Sequence, residues 1–304
     1  MTNGINVKII KDSLIAGDRY ITVETFYPRI IHGEVLRHRN ISHSVASSRA
    51  IPTKRYIQDY VTFIPNNLRK NEKGMSPSSY LESNEDKEVI FNDYFQLIKH
   101  VSSCASKWSE MTLAKEQVNR ILEPFSYVRD LMTFSFHDIE DVFLLRCHRD
   151  AQEEIRDLFT VIRNKIEQSQ PDRREVHFPY VDDIDFVNYK MEDLLKVSIA
   201  RCARTSYDSN VTDNKSTLEE DINLYDRLIS SKHFSPSEHI IFSRKHYERQ
   251  ILNKLHSIMV LELPKESYQY EMSVKEKRRY LFPFSGNLGG DIVQYRKILE
   301  KNIT

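Results

Sequence analysis

Arg37-His38-Arg39-Asn40-Ile41-Ser42-His43-Ser44-Val45-Ala46-Ser47-Ser48-Arg49 is the most unusual stretch of this 304-residue chain. It holds three arginines, two histidines and four serines within thirteen residues. Guanidinium forks and hydroxyls satisfy phosphate oxygens, and a guanidinium keeps its charge at any working pH. The run follows an apolar segment and lacks the Lys and Glu that dominate ordinary solvated faces. A phosphate-bearing ligand therefore explains it better than a solvated basic loop does.

Outward from this run, residues 6–10 and 20–26 read as strands joined around Ala16-Gly17-Asp18, a hairpin with period-two alternation in its second arm. Pro28 sits where a helix can start, with Ile30, Ile31, Val35 and Leu36 as its apolar face. Residues 65–86 read as a long loop. The pattern predicts helices near 89–108, 112–122, 138–146 and 151–168. It predicts more near 191–201, 216–230, 246–259 and 292–302, with residues 176–181 between the two groups and a turn at 285–290. The expectation is an α+β fold, helix-rich with a small, mostly antiparallel sheet. It is read as one unit over 1–304, in two parts, 1–170 and 175–304.

Composition narrows the function. Forty-four basic residues balance forty-four acidic ones, whereas a protein that lives on polymeric nucleic acid usually carries a basic surface. A nucleic-acid face built from 37–49, Lys54-Arg55 and Lys275-Glu276-Lys277-Arg278-Arg279 is the competing reading from another class, and balanced charge argues against it. Three widely spaced cysteines give neither a disulfide framework nor paired zinc spacing, so no metal is expected. Only seven glycines are present, with no dinucleotide-binding cluster and no Walker-type loop. Any dinucleotide must then be held by side chains. No apolar segment has the length of a membrane span, and a cytoplasmic location is expected, a host's cytoplasm if the chain is viral.

At Arg37, His38, Arg39, Ser42, Ser47 and Arg49 the run resembles the signature of flavin-dependent thymidylate synthases, departing from it at Ser44 (usually Asn) and Val45 (usually Glu). Residues 116–124 are similar to a second block of that family, with Arg120 in register. Leu145-Arg146 with Ala151-Gln152-Glu153-Glu154-Ile155-Arg156 is similar to a third. Ala200-Arg201-Cys202-Ala203-Arg204-Thr205-Ser206-Tyr207 and His233-Phe234-Ser235-Pro236-Ser237-Glu238-His239 resemble motifs near the family's usual amino terminus, yet here they follow the signature by more than a hundred residues. The chain thus resembles a longer, circularly permuted, phage- or bacterial-type member. Residues 285–297 also resemble the end of those members, which often carry an arginine where Gly289 stands.

The resemblance implies transfer of a one-carbon unit from 5,10-methylenetetrahydrofolate to C5 of dUMP, giving dTMP, with FAD as cofactor and NADPH as reductant. It implies a homotetramer with active sites shared between subunits. It places Arg146 at the uracil as the catalytic residue, and Glu34, Arg37, Ser47, Ser48, Arg49 and Arg120 on the nucleotide. His38, Arg39, Ser42, Ser206, His233, Ser235 and Glu238 would line the flavin. Glu34 stands where the family commonly has Gln. Its plain reading is an i,i+3 pair with Arg37; the sharper one is altered base or product selectivity, which makes a dUMP or dCMP hydroxymethyltransferase the alternative. Arg120 likewise could pair with Glu116 at i,i+4. Cys147, which might suggest the cysteine nucleophile of other thymidylate synthases, reads instead as a lone buried cysteine.

Overall fold

The computed structural model describes residues 4–65, 67–73, 79–206, 216–247, 286–289 and 291–301. Strands β1 (Asn6–Ile15) and β2 (Asp18–Pro28) form the expected hairpin, longer than predicted, with a register shift between Ile9 and Lys11. The turn puts Ala16 at φ 53° and Gly17 at φ 97°. Two successive positive φ values match the twist of a two-residue hairpin, and glycine takes the more extreme one without steric cost.

β3 (Ser42–Val45) and β4 (Tyr127–Ser135) complete the central sheet with β5 (Asp172–Arg173), in the order β3-β4-β2-β1-β5. All pairings are antiparallel except β1 with β5. β6 (Val176–His177), β7 (Ile241–Ser243) and β8 (Ile292–Gln294) form a second, antiparallel sheet. The α+β expectation and the mostly antiparallel sheet are borne out.

Several local readings are corrected. β4 went unrecognised, because eight of its nine residues are buried and Arg129-Asp130 interrupt the apolar run. A strand covered on both faces shows no alternation to read. The helix expected after Pro28 is only a 3₁₀ turn, Arg29–Ile31, and one α turn, His32–Val35. Ile31 and Val35, at i,i+4, are buried, while Ile30 and Leu36 are exposed. The signature, for which no strand was predicted, carries β3. Residues 112–122 give a short helix, Lys115–Val118, then 3₁₀ turns over Asn119–Phe125, where Pro124 removes a donor the α ladder would need. The terminal segment enters as a strand, since Ile292 and Val293 are β-branched, before the helix Tyr295–Lys301. The predicted long loop ends early, with Ser83 capping a helix over Asn84–Glu110. The predicted helix at 246–259 and the basic run at 275–279 lie largely or wholly outside the described residues.

The sheet has two differently covered faces. On one, helices Phe136–Arg146 and Glu153–Gln168 pack Ile139, Phe143, Ile155, Leu158, Phe159 and Ile162 onto Ile21, Val23, Met132 and Phe134. The other meets the second sheet, where Ile15 and Tyr20 pack on Ile241, Leu288 and Ile292. A row of hydroxyls crosses this second face, and two histidines link it. Ser44 Oγ lies 2.9 Å from His239 Nε2, and His239 Nδ1 lies 2.8 Å from Thr133 Oγ1. Thr133 Oγ1 is 2.6 Å from Thr22 Oγ1, which is 2.7 Å from His177 Nε2; His177 Nδ1 is 3.0 Å from Ser13 Oγ.

Burial holds both imidazoles neutral: His239 is pushed down to about 3 and His177 well below its ordinary value. In the unfolded chain each takes a proton as pH falls through about 6.5. The unfolded state therefore binds more protons below that pH, and stability falls as the pH drops from about 6.5 toward 3. The slope is up to about 1.4 kcal/mol per pH unit for each histidine. Urea midpoints between pH 7.5 and 5 should show this decline, and His239→Gln should flatten it while lowering stability at pH 7.5.

Candidate active site

The signature is delivered by one turn and one edge strand. The turn at His32–Leu36 ends as Arg37 and His38 donate backbone N–H groups to the carbonyls of Glu34 and Val35. β3 then lies along β4, with Ser42 opposite Thr133 and Ser44 opposite Leu131. Beyond β3 the chain is held by the 119–125 segment. Asn119, fully buried, donates through Nδ2 to the carbonyls of Ser48 (2.7 Å) and Ile51 (3.0 Å). Glu123 accepts from Ser48 Oγ at 2.7 Å and pairs with Arg29 (3.2 Å) and Arg120 (3.1 Å). Asn119 and Glu123 were not singled out in the sequence; their positions flanking Arg120 in the second block were the available signal.

Arg146, at the end of helix Phe136–Arg146, reaches back to the signature. Its Nε donates to His38 Nε2 at 2.9 Å and its Nη1 to Glu34 Oε2 at 2.8 Å. The expected Glu34–Arg37 pair is therefore corrected: Glu34 turns to Arg146, whose side chain is 14% exposed against 37% for Glu34. His38 rests edge-on against Phe159, with centroids 5.8 Å apart. Burial first, and the Arg146 charge second, push its pKa down to about 4. His38 is thus a neutral acceptor with its proton on Nδ1.

The remaining predicted residues divide. Arg37, Arg39 and Arg49 are exposed and make no side-chain ion pair among the described residues. Arg120 pairs with Glu123 rather than Glu116, and its side chain is 56% exposed. Ser42 is buried: it donates to Asn287 Oδ1 at 3.1 Å and accepts from Gln294 Nε2 at 3.1 Å. It joins the signature to the carboxyl-terminal segment. That junction demands Gly286, at φ 64°, because a Cβ there would lie 1.8 Å from Gln294 Oε1. Gly289, also at positive φ (65°), suits its position, whatever relatives carry there. Glu238 pairs with Arg296. Ser206 ends the 3₁₀ turn Arg204–Ser206. Cys147 is half-buried, and burial pushes its thiol up, away from nucleophile chemistry.

Ser47, His233 and Ser235 come together. They line a cavity of about 500 Å³ beside β3, with Ser44, Lys115 and an apolar wall of Leu224, Leu228 and Pro236. Lys115, not foreseen from the sequence, anchors its ammonium on the Ala50 carbonyl at 3.0 Å. The arrangement is a slot with hydroxyl and cationic donors on one side and aliphatic surface on the other. It suits a flat ligand bearing negative charge.

Among the described residues, no cluster of three His, Cys, Asp or Glu could hold a metal ion, and no helix is long and apolar enough to cross a membrane. Lys54 and Arg55 sit on helix Thr53–Asp59, where Arg55 pairs with Asp59 at 3.3 Å.

Residues 19–172 match the family described as Thymidylate synthase complementing protein. No curated protein matches the chain. Two solved structures of a UMP/dUMP methylase, PolB from Streptomyces cacaoi, bound with 5-Br UMP and with 5-Br dUMP, share 15% and 14% identity with it. Each covers 55% of this chain, and 90% and 91% of the methylase chains, at a TM-score of 0.47. That likeness is too low to carry a ligand across.

Asn119→Ala would strand two buried carbonyls and release the 46–51 segment. We expect a stability loss of about 2–4 kcal/mol, read from urea denaturation. Arg120→Ala, on the exposed side of the same segment, should cost under about 1 kcal/mol.

Proposed function

Because the chain belongs to the thymidylate synthase complementing protein family, and so is an enzyme of the flavin-dependent thymidylate synthase type, we propose that it methylates dUMP at C5. In this reading it uses 5,10-methylenetetrahydrofolate as carbon donor, FAD as bound cofactor and NADPH as reductant, over residues 1–304 as one catalytic unit. The observation that carries the reading is the meeting of Arg146 with His38 and Glu34, residues 108 and 112 positions away in the chain.

Arg146 spends one N–H on His38 and one on Glu34, which leaves three of its five donors for a ligand. A guanidinium stabilises negative charge without surrendering a proton. Aimed at the pyrimidine carbonyls, it favours loss of the N3 proton and so enriches C5 for attack. His38, being neutral, orients Arg146 without adding a competing cation. Arg37, Arg49 and Ser47 supply the phosphate contacts, with Arg120 at their edge, while Ser48, committed to Glu123, holds the segment in shape. In this reading the donor-lined slot beside β3 receives FAD, with His233 and Ser235 as contacts and Lys115 beside them. Bound there, the flavin supplies the redox chemistry that turns the donated carbon into a methyl group. The exposed Arg37, Arg39 and Arg49 also suit contacts with a neighbouring subunit, in keeping with a homotetramer that shares its sites.

A second reading draws on Glu34. A carboxylate on the base-contacting arginine accepts hydrogen bonds where an amide would also donate, which favours a different base edge or a hydroxymethyl product from dUMP or dCMP.

Mass spectrometry of the nucleotide after incubation with FAD, NADPH, methylenetetrahydrofolate and dUMP tests the proposal. We expect a methyl product with stoichiometric NADPH consumption. A hydroxymethyl product without NADPH consumption, or turnover confined to dCMP, would establish the second reading instead. Arg146→Ala should lower kcat by at least about a hundredfold while the purified protein keeps its flavin absorbance; loss of flavin would refute the assignment to the base.

A further inference from the structure

The chain of hydroxyls and imidazoles between the two sheets has a direction, and the direction has a consequence at the cavity. Ser44, Thr133, Thr22 and Ser13 carry one hydroxyl proton each, and neutral His239 and His177 carry one N–H each. Six protons therefore serve five hydrogen bonds. If every bond is made, each neutral imidazole donates at one nitrogen and accepts at the other, all five bonds run toward one of the four hydroxyls, and the sixth proton is left on that hydroxyl. Ser13, Thr22 and Thr133 are fully buried, and among the described residues their hydroxyls have no hydrogen-bond partner beyond this row. A spare proton there would be a buried donor without an acceptor, which folded proteins avoid. The opposite end, Ser44, lies at the cavity wall.

The run of bonds follows from this. Ser13 donates to His177 Nδ1, and His177 Nε2–H donates to Thr22. Thr22 donates to Thr133, Thr133 to His239 Nδ1, and His239 Nε2–H to Ser44 Oγ. The Ser44 hydroxyl, one of its two lone pairs occupied by His239, has its own proton free.

We propose that Ser44 is a ligand-binding residue whose O–H is a hydrogen-bond donor into the cavity, with His239 as the positioning residue that, by donating to Ser44 Oγ, keeps that proton from being spent inside the protein. The ligand presents an acceptor oxygen at this point, a ring carbonyl or a phosphate oxygen, to receive that proton. The proposal rests on the reading of this cavity as the FAD site.

Two measurements test it. Long-range ¹H–¹⁵N correlation spectra of histidine-labelled protein at neutral pH report the tautomers directly. Both His239 and His177 should carry the proton on Nε2, and an Nδ1–H form of either overturns the proposal, whatever the ligand. FAD titrations give the second arm. Ser44→Ala should weaken binding roughly tenfold, the worth of one hydrogen bond, and Ser44→Thr, which keeps the hydroxyl, should restore it. Equal affinity of wild type and Ser44→Ala overturns the proposal. A matching loss for riboflavin assigns the acceptor to a ring carbonyl, and a loss confined to FAD assigns it to the pyrophosphate. If the wild-type chain binds no FAD, the cofactor assignment fails on its own, and the tautomers still decide the direction of the hydroxyl.

Discussion

A β-sheet that buries both faces must satisfy every polar group it carries inward, and this sheet carries a row of hydroxyls across four strands. That requirement governs how the second sheet sits. Its β6 supplies His177, and the turn before β7 supplies His239, each with a ring nitrogen on either side of the row. Neutral imidazole is well suited to the position, because one edge accepts and the other donates. Apolar packing around Ile15, Tyr20, Ile241 and Ile292 holds the layers together; the histidines set where they register.

The same registration reaches the signature. Ser44 is the end of the polar row, and Ser42, two residues earlier on the same face of β3, is tied through Asn287 and Gln294 to the carboxyl-terminal segment. From the opposite face, helix Phe136–Arg146 brings its last residue to Glu34 and His38. The signature is thus held at His38 from one side and at Ser42 and Ser44 from the other, which gives a serine- and arginine-rich run a defined shape. One buried carboxylate adds to this: Asp130 on β4 accepts from Tyr27 at 3.1 Å and pairs with His43 at 2.8 Å.

Much of the framework was legible in the residues. The hairpin could be read from alternation and Ala16-Gly17, and the helices over Glu153–Gln168 and Leu218–Ser230 from their apolar periodicity and first-turn acids. β4 could not, because a strand at the centre of a sheet has no polar face to mark its period. Within the site, the cationic and hydroxyl character of the signature was plain. The partner of Glu34 was not: a helical spacing rule pointed to Arg37, and only the packing of a helix from far along the chain put Arg146 closer. Lys115, Asn119 and Glu123 were missed for a related reason, since their roles depend on which loop lies against them.

By itself the sequence determined the chemistry available and the local elements: an anion-binding run, its resemblance to one enzyme family, and the α+β alternation of strands and amphipathic helices. Tertiary structure alone decided which arginine meets which carboxylate, which serines face a cavity and which are committed to the interior, and in which direction a buried chain of protons can run. Residue type and spacing carry local preference, whereas a hydrogen bond between positions more than a hundred residues apart exists only once two layers have packed in one register.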